Sequence, residues 1–88
     1  MRQATDKGER EMNKARREAL DKVRVELENL WLTVDNLRIE EEEYHDNMPE
    51  SLQGGEKGKQ SQTAIDALYE AVGSIGNAIN SIEEATGA

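Results

Sequence analysis

Few residues of this chain have the type and spacing to do chemistry. Glu42 and His45 form Glu-x-x-His, a spacing used by carboxylate-bridged metal centres in helical bundles. Such a centre needs two of these pairs and two further Glu. Glu41 falls on the predicted apolar seam, and a dimer would supply the second pair. The run Glu40 to Glu43 nevertheless reads first as a solvated acidic helix end. The Gly-rich segment Gly54-Gly55-Glu56-Lys57-Gly58-Lys59-Gln60-Ser61 invites comparison with a phosphate-binding P-loop. Gln53 stands where that motif needs its first Gly, Gln60 where it needs the Ser or Thr that binds magnesium, and no strand precedes it. Lys57 and Lys59 at the start of a helix are a weaker anion-holding arrangement, against which stands an ordinary flexible turn. One His and no Cys give no nucleophilic constellation. The expectation is a protein that is not an enzyme and holds no cofactor or metal.

A longer pattern is the acidic belt of Asp35, Glu40, Glu41, Glu42, Glu43 and Asp46, continued by Glu50 and Glu56. Carboxylates spaced along a stiff rod imitate a phosphate backbone and can occupy a nucleic-acid channel on another protein. The competing reading is the ordinary solubility of a helical surface.

What must position these residues is helical. Leu20, Val23, Leu27, Leu30, Val34, Leu37 and, after a polar step at Glu41, Tyr44 recur at alternating spacings of three and four. So do Ile65, Leu68, Val72, Ile75, Ile79 and Ile82. That spacing is the seam of an antiparallel helical hairpin or coiled coil. The fold expected is all-α, two long antiparallel helices that dimerise into a four-helix bundle. Residues 1–11 form a flexible or loosely helical N-terminal extension, with Met12 a plausible alternative start. The hairpin domain covers 12–88, with helix 1 over about 12–46, a turn at 47–57 and helix 2 over about 57–85.

Helix 1 has a second row, Val25, Leu32 and Ile39, with Trp31 beside it. It lies about 150° around the helix from Leu20, Leu27 and Val34. A helix in a simple hairpin needs one apolar stripe. Val25, Trp31, Leu32 and Ile39 are therefore the expected oligomer interface, with helix 1 sandwiched between helix 2 and another protomer. Helix 2 carries a row of small residues, Ala64, Ala71, Ala78 and Ala85. Its Gly73 and Gly76 mark either a close helix contact or a surface where flexibility is harmless. In the turn, Pro49 can start a single helical turn ended by Gly54-Gly55, with Met48 and Leu52 plugging the end of the hairpin. Tyr44 is expected to hold the acidic end of helix 1 against its unfavourable dipole.

The chain of 88 residues has a net charge of −8, no Cys, no Phe and one Trp. Residues 1–24 carry eight Lys/Arg against five Asp/Glu, and residues 25–88 carry three against fourteen. An acidic body argues against direct nucleic-acid binding. No apolar run approaches the roughly 20 residues that span a bilayer, and the polar N-terminus lacks the apolar core of a signal peptide. The expected location is the cytosol. An 88-residue hairpin buries little surface, so a homo-oligomer, most simply a dimer, completes its core.

The segment from Glu40 to Gly58, through Tyr44-His45-Asp46-Asn47-Met48-Pro49-Glu50 and Gln53, resembles a pattern in short uncharacterised phage and prophage proteins. There a Glu-rich helix runs into an aromatic, Asp-Asn, Pro-Glu and a charged Gly turn, followed by an Ala/Ile-rich helix. The opening Asn13-Lys14-Ala15-Arg16-Arg17 is similar to the same family. The likeness spans about 12–85. This chain departs from it at Gly54-Gly55 and in a less acidic second helix. The resemblance implies a small accessory protein of a mobile element, in the cytosol of the host cell, and transfers no functional residue. Three functions follow as expectations. One is protein–protein binding, in its sharpest form inhibition of a host defence nuclease through the acidic belt. The others are a phage assembly protein and a small anion- or nucleotide-sequestering protein.

Overall fold

The computed structural model describes residues 13–87; the N-terminal extension over 1–11, and Met12, lie outside the described residues. The first helix, α1, spans Lys14–Asp46. It starts where Asn13 accepts from the backbone N–H groups of Ala15 at 2.9 Å and Arg16 at 3.3 Å, satisfying donors that a helix start leaves unpaired. Its interior has no Gly or Pro. The pattern-based start at about 12 was two residues early because Asn13 caps the helix.

The turn is built as the sequence suggests, with one difference. Pro49 precedes a single helical turn, α2 (Glu50–Gln53), which stops at Gly54. Met48 is buried, but Leu52 is half exposed and plugs nothing. The side-chain amide of Gln53 reaches back and donates to the carbonyls of His45 at 3.0 Å and Met48 at 3.2 Å. It thus takes up acceptors that the end of α1 leaves open. That amide, not Tyr44, closes the acidic end; Tyr44 is exposed at the edge of the hairpin.

The second long helix, α3, spans Glu56–Thr86. Near its start Gly58 is buried against Gln53, and a Cβ there would overlap the Gln53 backbone carbonyl. No other residue type fits this crossing of α2 and α3 without moving backbone. At the far end Gly87 takes φ 77° and donates to the Glu84 carbonyl at 3.2 Å, a left-handed cap.

Contacts between the long helices run in reverse order: Trp31 with Gly76, Arg38 with Tyr69, Glu41 with Ser61. The hairpin is therefore antiparallel, a single layer two helices wide with two broad faces. Its best-buried residues, Met48, Gly58, Ser61 and Ile65, all sit at the loop end; toward the open end the packed residues are half-buried.

On α3 the expected seam is the observed one: Ile65, Leu68, Val72, Ile75, Ile79 and Ile82 all pack inward. On α1 only half of it is. Leu20, Leu27 and Val34 pack against α3, whereas Val23, Leu30, Leu37 and Tyr44 are exposed. The row that joins Leu20, Leu27 and Val34 in the interface is Arg24, Trp31, Arg38 and His45. Relative to the heptad reading, α1 is turned about its own axis. Two features account for the turn. Gly76 opens a place for the Trp31 ring, whose Nε1 lies 3.7 Å from where a Cβ would stand. Arg24 and Arg38 are themselves half-buried, and their charged ends are held by Glu28 and Glu42 of the same helix.

Candidate functional site

The turn of α1 gives the hairpin two unlike faces. On one, Tyr44 shares an open crevice of about 230 Å³ with Glu41, Lys57, Gln60 and Ser61. Continuing each row by sevens puts Val23, Leu30 and Leu37 on this face beside Ala64, Ala71 and Ala78. We call it the alanine face. On the other, Glu28, Trp31, Leu32, Gly76, Ile79 and Asn80 line an open groove of about 370 Å³. Val25 and Ile39 extend the Leu32 row, and all three are exposed. This is the tryptophan face. Of the expected oligomer interface, Val25, Leu32 and Ile39 are surface residues, while Trp31 is half-buried within its own hairpin.

The acidic belt divides. Asp35 and Glu42 are engaged by Arg38, whose side chain is 13% exposed. The guanidinium reaches Asp35 at 2.8 Å and Glu42 at 2.8 Å and donates to the Tyr69 hydroxyl at 2.9 Å. The Tyr69 hydroxyl in turn donates to Glu42 at 2.8 Å, and the guanidinium carbon lies 4.4 Å from the Tyr69 ring centroid. This closed network ties α1 to α3. The hydrogen bond to Glu42 raises the Tyr69 phenol above its ordinary range; partial loss of solvent adds to the rise and the Arg38 charge opposes it. The hydrogen bond to Asp35 raises Arg38 likewise, against the loss of solvent around it.

Glu41 turns inward and accepts from the Ser61 hydroxyl at 2.7 Å. Glu40, Glu43 and Asp46 are exposed. With Glu50 and Glu56, also exposed, they form an acidic surface around the loop end.

Neither candidate ligand centre assembles. Glu42 faces Arg38 and Tyr69, and His45 Nδ1 lies 3.9 Å from Asp46. Among the described residues no three His, Asp or Glu side chains converge as metal ligands. Lys57 lines the crevice beside Tyr44, but so does the Glu41 carboxylate, which repels an anion; Lys59 is exposed.

No family model, curated protein or solved structure matches the chain. Among the described residues no helix is long and apolar enough to cross a membrane. What the geometry offers is surface: two apolar rows on opposite faces and an acidic loop end.

The heptad count located the Val25–Leu32–Ile39 row but missed the exposure of Val23, Leu30 and Leu37, because it assigned them to the intramolecular seam. Part of the Arg38 network was available in the sequence: Asp35 and Glu42 lie three before and four after it, the helical ion-pair spacings. Tyr69 was not, since its contact depends on the register between helices.

Proposed function

We propose that this chain is a non-enzymatic accessory protein of a phage or related mobile element, at work in the host cytosol by protein–protein binding. It associates with itself as a four-helix bundle of two hairpins and presents a remaining face to another protein. The observation that carries this reading is the surplus on α1. After α3 has packed, Val23, Leu30, Leu37 and Tyr44 remain exposed on one side and Val25, Leu32 and Ile39 on the other. Single exposed apolar residues are ordinary, but continuous rows on both faces of one helix mark interaction surfaces. A pull-down from host lysate with the wild type and Leu32→Glu tests it. One partner recovered by the wild type and lost by the variant is expected. The same partners on both would contradict a role for the tryptophan face.

The exposed Glu40, Glu43, Asp46, Glu50 and Glu56 favour a sharper version, in which the partner is a nucleic-acid-binding host defence protein such as a nuclease. Glu40→Gln, Glu43→Gln and Asp46→Asn together should abolish inhibition of that nuclease and leave the helix content intact. Full inhibition by the triple variant would sink it.

A further inference from the structure

We infer that the alanine face is covered by a second copy of this chain, laid with its loop end against the first copy's open end. The inference rests on the self-association proposed above and says which surface and which orientation it uses. The heptad count alone puts self-association on the Val25–Leu32–Ile39 row. One observation moves it to the opposite face, and two more bear on whether that face can hold a second copy and in which orientation.

The first is polarity. From Gln60 onward the α3 rows that border the alanine face are Gln60, Ala67, Ser74 and Ser81, and Ala64, Ala71, Ala78 and Ala85. These rows carry no charge, and beyond Gln60 only Ala and Ser; the charged groups in this face's crevice, Glu41 (held by Ser61) and Lys57, sit at its loop end. Against the two rows α1 sets the exposed Val23, Leu30, Leu37 and Tyr44. The tryptophan face instead carries the Asp35–Arg38–Glu42–Tyr69 network, whose burial would strip solvent from four polar groups. Interface cores are depleted of charge.

The second is area. α1 is 33 residues long, about 50 Å, and the face is two helices, about 20 Å, wide. That is on the order of 1,000 Å², against the about 800 Å² each partner contributes to a standard stable interface. A face that is its own complement forms a closed two-fold pair.

The third is charge along the length. At the open end the first turns of α1 carry Lys14, Arg16, Arg17, Lys22 and Arg24 against Glu18 and Asp21, with Glu83 and Glu84 of α3 beside them, while the loop end carries Glu40, Glu43, Asp46, Glu50 and Glu56. Two loop ends side by side would stack these carboxylates on each other. Loop end against open end keeps them apart and sets them near the second copy's first α1 turns, where Lys and Arg outnumber Asp and Glu.

Leu30 and Leu32 make a matched pair for the test. They are 53% and 54% exposed and lie on opposite faces, so neither change to Glu strips the hairpin of a buried side chain. Sedimentation equilibrium of the full chain should give a dimer at about 100 µM. Leu30→Glu and Leu37→Glu should each weaken it by about 100-fold, counting both copies, with helical circular dichroism unchanged, and Leu32→Glu should leave it at wild-type strength. A wild type that stays at 9.9 kDa overturns this inference together with the self-association it rests on. A dimer broken by Leu32→Glu and not by Leu30→Glu overturns the choice of face alone. The chain has no Cys, so a spin label at Glu50→Cys reads the loop-to-loop distance. About 50 Å is expected, and about 20 Å, two helix diameters, would overturn the orientation.

Discussion

The two long helices use their apolar residues differently. α3 directs its whole stripe, Ile65 to Ile82, into the hairpin. α1 is the longer and carries more large apolar residues, yet it gives α3 only Leu20, Leu27, Val34 and Trp31 from among them. The rest of its half-buried side is charged or polar, Arg24, Asp35, Arg38, Glu41, Glu42 and His45 among them. The helix with the plainer pattern is thus a packing element. The helix with the richer one packs on one side and exposes apolar rows on two others. In the function proposed above, that surplus of apolar surface on a partly charged helix is what further partners would cover.

The contrast breaks most readily at the loop end, where the best-buried residues sit. Gly58→Ala should destabilise the hairpin by about 3 kcal/mol, since a Cβ there overlaps the Gln53 backbone and the turn must shift to admit it. A thermal melt within a degree of wild type would contradict the close crossing of α2 and α3. Ile65→Ala, at the best-buried apolar position, should cost about 2–4 kcal/mol. Ile39→Ala, on the exposed row of α1, should cost less than about 1 kcal/mol by the same area argument. Equal losses in urea unfolding would erase the difference between the helices.

The Arg38–Glu42–Tyr69 network sharpens the comparison further, because it is where α1 uses charge in place of apolar contact. Tyr69 is raised in the folded state by its bond to Glu42. Its contribution is therefore full below the unfolded tyrosine value of about 10. It fades as pH rises through the higher folded value, where the phenol loses its proton and the hydrogen bond with it. The stability gap between wild type and Tyr69→Phe should hold steady up to about pH 10 and narrow above it. A gap that widens with alkali would contradict the assignment of Tyr69 as donor to Glu42.

The smallest expected effect separates two glycines of α3 that look alike in sequence. A Cβ at Gly73 meets nothing within 4 Å, whereas one at Gly76 faces Trp31. Gly73→Ala should stabilise by about 0.5–1 kcal/mol from helix propensity alone. A loss of stability would place an unseen contact at Gly73.

Much of this fold was legible because helix periodicity and chain punctuation are local. Asn13, Pro49, Gly54-Gly55 and Gly87 set the element ends within a residue or two of where spacing put them. The rotation of α1 was not legible. It depends on one large ring finding one glycine across the hairpin, Trp31 on Gly76, and a heptad count weighs Leu30 and Trp31 only by position. The acidic belt was legible as composition but not as a surface. Whether a given Glu faces solvent, Arg38 or Ser61 follows from that same rotation.

The account turns on which chain Leu30 and Leu37 touch. An isotope-filtered NOE spectrum of an equal mixture of ¹³C-labelled and unlabelled protein reads this directly. The account predicts contacts from the Leu30 and Leu37 methyls to the other chain, and contacts from Leu27 and Val34 to Ile and Val residues of their own α3. Leu30 and Leu37 methyls in contact with Val72 and Ile75 of their own chain would contradict it and restore the seam that the heptad pattern alone describes.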